Sequence, residues 1–297
     1  MKEAKKTIET GRLKMIDASM KSGTRKERRR LWRKSLLVPA EHGSWSWFLV
    51  PFVAGVGVAG IVDAISAPAV LLALVGGLSA FLMRQPATAW LRIRQGRGRR
   101  SDQPLAAGWT SGLALLSLLC LLGLLLLGRT TLLWLLLPLS AIFCLYLTVA
   151  QINRARTRSL WMEMAGAAGL AAMAPAAFTA ATGRLDPTAW HLWTLMAAQN
   201  LLGVLYVRLR LADTRARTMS RPLVLAGHLL GLLVASLVIR WGNVPALTMV
   251  PFAAFLLRAI WAVARARPVP DVRRFGFTEV GLEVSAGLWF IISYLAG

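Results

Sequence analysis

The sequence predicts an all-α polytopic membrane bundle of nine transmembrane helices, and three observations carry that prediction. The chain of 297 residues is 56% hydrophobic, and its mean hydropathy of +0.56 reflects more apolar surface than a soluble core of this size needs. Nine stretches are apolar over the ~20 residues that ~30 Å of hydrocarbon requires at ~1.5 Å per residue. With the N-terminus placed inside, all of the 35 basic residues except Arg129, Arg184 and Arg240 fall on one side of the membrane. A wrong segment count would scramble that alternation, so the bias predicts nine spans, a cytoplasmic N-terminus and an outside C-terminus.

The segments run near 45–63, 66–83, 111–128, 131–150, 160–182, 189–207, 222–240, 244–264 and 277–296. The first follows Ala40-Glu41-His42-Gly43-Ser44-Trp45-Ser46-Trp47, which sets an acid, an imidazole and two indoles at its entry. Arg84 closes the second, and a long basic loop is expected after it. Segments three and four are Leu-rich, and their Cys120 and Cys144 read as inert buried thiols. Segment four ends at Gln151 and Asn153, and segment five, rich in Gly and Ala, opens on Glu163. Segment six carries Gln199 and Asn200 midway and ends at Arg208 and Arg210. His228 lies about two turns into segment seven, and Glu279 and Glu283 open segment nine. Pro51, Pro138, Pro175 and Pro251 interrupt segments one, four, five and eight.

Two regions follow: a basic cytosolic tail over residues 1–36, disordered or surface-lying, and a transmembrane domain over 37–297. The tail has no apolar h-region, so it is not a signal peptide. A formal charge of +22 would suggest nucleic acid in a soluble protein, but here the anionic inner leaflet is the expected partner and no nucleic acid is expected. The implied location is an inner membrane.

Polar groups are costly inside hydrocarbon, so their depth is informative. They crowd toward the side that carries the basic turns, which predicts a polar cavity opening to the cytosol. Glu279 and Glu283 are four apart, on one helical face, and repel unless protonated or paired with arginine. Each candidate has a structural alternative. Glu41 and His42 suit an interfacial anchor or a ligand or catalytic site, Arg84 and Arg208 suit positive-inside anchors or phosphate binding, and His228 and Asn200 suit interhelical hydrogen bonds or ligand contacts. Three histidines without metal spacing predict no metal site and no cofactor, with Mg²⁺ entering only if an unrecognised carboxylate pair forms.

The blocks EHGSWSWFLVPFVAG, LMRQP, LGVLYVRLRL and RRFGFTEVGLEV resemble the YwiC-like bacterial membrane proteins, over a stretch from about Pro39 to the C-terminus. That resemblance brings no activity with it. SDQPLAAGW after segment two, and the basic turn leading into segment five, are similar to the UbiA-type intramembrane prenyltransferases. This second likeness implies a UbiA-like helix arrangement and an isoprenoid diphosphate ligand held through Mg²⁺ by Asp clusters. The matching places here are Ala87, Trp90 and Arg94, none of them a carboxylate, and Asp213 is the acid kept after segment six.

The expected function is therefore an inner-membrane protein that binds an isoprenoid or anionic lipid without metal. Arg84, Arg94, Arg208 and Arg210 would face phosphate, with Asn153, Asn200 and His228 as further contacts. Glu41, His42, Glu163, Glu279 and Glu283 would orient the arginines or act as acid–base groups. The alternatives are a metal-independent prenyl or lipid transferase, and a transporter or structural subunit of a membrane complex.

Overall fold

The computed structural model describes residues 42–152 and 159–297, with only the backbone of His42. The tail of residues 1–36, Glu41, Asn153 and the His42 side chain lie outside the described residues. Among the described residues the regular structure is helical throughout: α1 (His42–Val62), α2 (Ala67–Arg94), α3 (Gln103–Leu126), α4 (Leu133–Ile152), α5 (Leu160–Ala171), α6 (Met173–Thr182), α7 (Pro187–Thr214), α8 (Arg221–Gly242), α9 (Met249–Ala264) and α10 (Val272–Ala296). With α5 and α6 counted as one span, nine helical stretches among the described residues are long and apolar enough to cross a membrane.

Local chemistry explains the ends. Ser159, Asp186, Ser220 and Asp271 cap α5, α7, α8 and α10, their side-chain oxygens accepting from backbone N–H groups of the first turn. Proline occupies the first turn of α2, α3, α7 and α8, where its missing N–H costs no helical bond. Gly183, with φ of 79°, ends α6 in the left-handed conformation. The break between α5 and α6 lies one turn before Pro175, whose ring crowds the carbonyl of Ala171. Pro51 and Pro138 lie inside uninterrupted helices, so the expected interruptions there do not occur.

α1 packs chiefly against α6 and α10 and also touches α5 and α7. At its crossing with α6 a Cβ on Gly55 would come within 2.2 Å of the Ala174 carbonyl oxygen, so only glycine allows this approach. Close packing of small residues is what holds helices together where lipid removes the hydrophobic drive. One apolar cluster joins α1 to α6, α7, α8, α9 and α10 through Phe178, Leu192, Met196, Phe252 and Phe290. A second joins α1 to α2, α3, α4 and α6 through Phe48, Phe81, Leu124, Leu135 and Met173.

Three sequence expectations need correction. The long loop after segment two is mostly helix, because α2 continues past Arg84 to Arg94 and α3 starts at Gln103. Arginine is a good helix former, and the Arg94 guanidinium lies 5.1 Å from the Trp90 ring one turn back, so nothing stops the helix when the apolar run does. α10 begins at Val272, ahead of the expected segment start near 277, so Glu283 lies about three turns from the helix start. Cys120 is buried as expected, but Cys144 is exposed, since α4 turns this face outward.

Candidate functional site

Two regions of the bundle deserve separate description, one polar and one apolar. The polar one is built on α10, where Glu279 and Glu283 are both buried. Arg258 of α9 donates from Nη1 to both oxygens of Glu279, at 3.0 and 2.9 Å. Its guanidinium lies 3.8 Å from the Tyr206 ring centroid on α7, so charge pairing and cation–π contact act on one group. Arg210 donates to the Tyr206 hydroxyl at 3.1 Å and lies within electrostatic reach of Glu279.

Glu283 is held differently, by neutral groups of α1. The Trp47 indole N–H donates to Oε1 at 2.8 Å, and the Ser46 hydroxyl is hydrogen-bonded to Oε2. Gln199 donates to the Glu283 carbonyl at 3.3 Å. Asn200 donates to the carbonyls of Trp47 and Ala167, at 3.2 and 3.0 Å, tying α7 to α1 and α5. A Cβ on Gly203 would sit 2.8 Å from Glu283 Oε1, so this glycine makes room for the carboxyl group. His228 is fully buried, its Nδ1 2.8 Å from the Val224 carbonyl of its own helix. It is thus not the interhelical donor the sequence suggested, because the carbonyl one turn back is the nearer partner.

The structure therefore brings Arg210 and Glu279 together around Arg258 and Tyr206, with Glu283 one turn further along α10 against α1, while Asn200 ties α7 to α1 and α5. It sets Glu163 and Arg208 apart as their own pair at 2.6 Å, and Arg94 over Trp90. Asp213 pairs with Arg221 at 2.6 Å, and Arg221 also donates to the carbonyls of Ala262 and Val263, joining the start of α8 to the end of α9. Among the described residues no group of three or more His, Cys, Asp or Glu could hold a metal ion.

The apolar region is a cavity of about 530 Å³ between α2, α3, α4, α5 and α6, with Phe48 of α1 on its wall. Leu72, Gly76, Leu135, Leu139 and Met173 are typical of its lining. Arg84 is the charged residue among the lining groups, its guanidinium 5.0 Å from the Tyr146 ring and 5.7 Å from the Phe81 ring. Of the nominated residues whose side chains are described, Arg84 alone lines this cavity.

Sequence reasoning missed Arg258, Ser46, Trp47 and Tyr206. Arg258 had been counted with the loop charges, although an arginine flanked by FLL and AIWAVA at the depth of a glutamate is itself a sign of an intramembrane pair. Trp45 and Trp47 are the two indoles at the entry of segment one. They diverge, Trp45 packing edge-on to Phe81 at 5.2 Å and Trp47 bonding Glu283.

No curated protein and no solved structure matches this chain. The family model described as YwiC-like protein matches residues 38–178, a stretch that contains α1 to most of α6 and every residue lining the cavity, and over it the chain is similar to that family.

Proposed function

We propose that this multi-pass membrane protein binds the hydrocarbon part of an isoprenoid or anionic lipid in the apolar cavity, with the anionic group at Arg84. The observation that supports the reading is the pairing of a long apolar lining with one guanidinium. Small-molecule sites are of this kind, ~300–1,000 Å³, mostly apolar, with few polar groups fixing orientation. Arg84 lies ~25 Å along α2 from its start at Ala67, which puts it near the far edge of a ~30 Å hydrocarbon layer, where a headgroup sits. Arginine binds phosphate without metal.

The same reading places the protein in a bacterial inner membrane with the N-terminus inside, so that Arg84 faces the cytosolic leaflet. It keeps a UbiA-like scaffold as a proposal, with lipid binding retained where the metal-binding acids are replaced. Glu41 and the His42 side chain lie outside the described residues, and a role for them at the cavity stays part of the proposal. On this reading Glu279 and Glu283 support the fold, and Glu163 orients Arg208. A transferase would need an acid–base group at the cavity. None of the described lining residues is Asp, Glu or His, which favours binding over transfer.

The test is native mass spectrometry of the detergent-extracted protein. A phosphate-headed lipid should copurify, and Arg84→Ala should lose it while Arg208→Ala keeps it. Retention by Arg84→Ala equal to wild type would overturn the reading.

A further inference from the structure

The inference concerns how the cavity fills and with what, and it rests on the lipid-binding reading above. Most lining residues are buried or half-buried, but Leu118 of α3 is 62% exposed, Leu136 of α4 is 38% exposed, and Ser140 of α4 is also exposed. All three belong to the same two helices. α3 packs along α2, whereas α4 packs on α2 and α5, so α3 and α4 part after the short turn that joins them. The cavity therefore opens sideways between them, at mid-helix, on a surface of exposed leucines that include Leu115, Leu119, Leu122 and Leu137. A surface of that composition faces hydrocarbon, not water.

The dimensions narrow the occupant. Lining residues on α2 extend from Leu72 to Arg84 and on α4 from Leu135 to Tyr146, which is ~18 Å and ~17 Å of helix at ~1.5 Å per residue. One leaflet of a ~30 Å hydrocarbon core is ~15 Å thick. The cavity is thus about one leaflet long, charged at the Arg84 end and closed by Leu72, Leu124 and Leu132 at the other.

We propose that the gap between α3 and α4 is a lateral entrance from the bilayer, and that the occupant is a single-chain amphiphile with a phosphate head. Its chain slides in from the leaflet on the Arg84 side, head at Arg84 and tip among Leu72, Leu124 and Leu132. A two-chain lipid would leave its second chain outside the entrance, so the two lipid classes are separable by experiment.

The full-length protein is reconstituted in phosphatidylcholine vesicles and given a long-chain alkyl phosphate with a diazirine at the chain terminus, or a phosphatidate labelled in the same way. On illumination the alkyl phosphate should label peptides containing Leu72, Leu124 and Leu132. Leu118→Trp/Ser140→Trp should slow that labelling several-fold. Leu137→Trp, on the exposed face of α4 outside the lining, should label as wild type, and matching thermal melts for the two variants exclude a folding defect. Unchanged labelling in the double variant, or equal slowing in Leu137→Trp, overturns the entrance while leaving the cavity reading intact. Equal labelling by phosphatidate overturns the single-chain assignment. Absence of label at those peptides in the wild type overturns the lipid-binding reading itself.

Discussion

The two faces of α1 look onto opposite kinds of interior. Ser46, Trp47 and Val50 face α10, where Glu283 takes both polar groups and Gly287 lets Val50 approach. Trp45, Phe48 and Phe52 face α2 and the cavity, where Phe81 and Leu135 dominate. The first interior spends ionisable groups on holding helices together. The second is kept almost free of them, with Arg84 as its charged lining residue. Intramembrane charge is usually a sign of function, yet here the described polar network joins helices to one another, and the proposed ligand space is the apolar cavity with little charge.

That contrast can be broken most severely at the Arg258–Glu279 pair, whose side chains are 18% and 12% exposed. Arg258→Ala strands a buried carboxylate and is expected to cost ~3–5 kcal/mol, whereas Arg258→Met with Glu279→Leu recovers most of the loss. Denaturation in mixed micelles measures both, and a single-variant cost below ~1 kcal/mol would show that the pair does not hold α9 to α10.

Glu283 should give the next largest effect. Glu283→Ala leaves the Trp47 indole N–H without its partner, while the Ser46 hydroxyl keeps the Gly43 carbonyl at 2.9 Å, and is expected to cost ~1–3 kcal/mol. Glu283→Gln keeps an acceptor and should cost less than half as much. A cycle with Trp47→Phe should be non-additive, since both changes remove one contact.

The cavity should respond the other way. Ala80→Phe, which adds a ring to the half-buried lining, is expected to change stability by no more than ~1 kcal/mol while retention of copurified lipid falls several-fold. A variant that unfolds instead would mean that the space is packed in solution. The smallest effect belongs to Asp63, whose pair with Arg184 at the other end of the bundle is 38% and 60% exposed. Asp63→Ala should cost ~0–1 kcal/mol in the same assay and leave lipid retention unchanged.

The site was partly legible. Glu279 and Glu283 on one face are visible from a spacing of four, and Gln199 and Asn200 as links between helices follow from polar amides midway along an apolar segment. The identity of the partners was not visible. Arg258 and Glu279 are twenty-one positions apart across a turn, and Trp47 and Glu283 are 236 apart. The cavity gave no signal, because Leu72, Gly76 and Leu135 have the composition of any lipid-facing or packed helix.

The sequence alone determined the class, the span count and the approximate spans, because each follows from a local property: an apolar run long enough for hydrocarbon, with charge at its ends. It also determined that the glutamates of segment nine share a face, since helical period depends on no neighbour. Only the tertiary structure decided which arginine meets which glutamate, that α2 outlasts its apolar run, and that a hollow lies among the leucines of α2, α3 and α4. Those outcomes depend on how far apart helices stand, and the glycine of one helix against the alanine of another sets that distance in a way no single segment records.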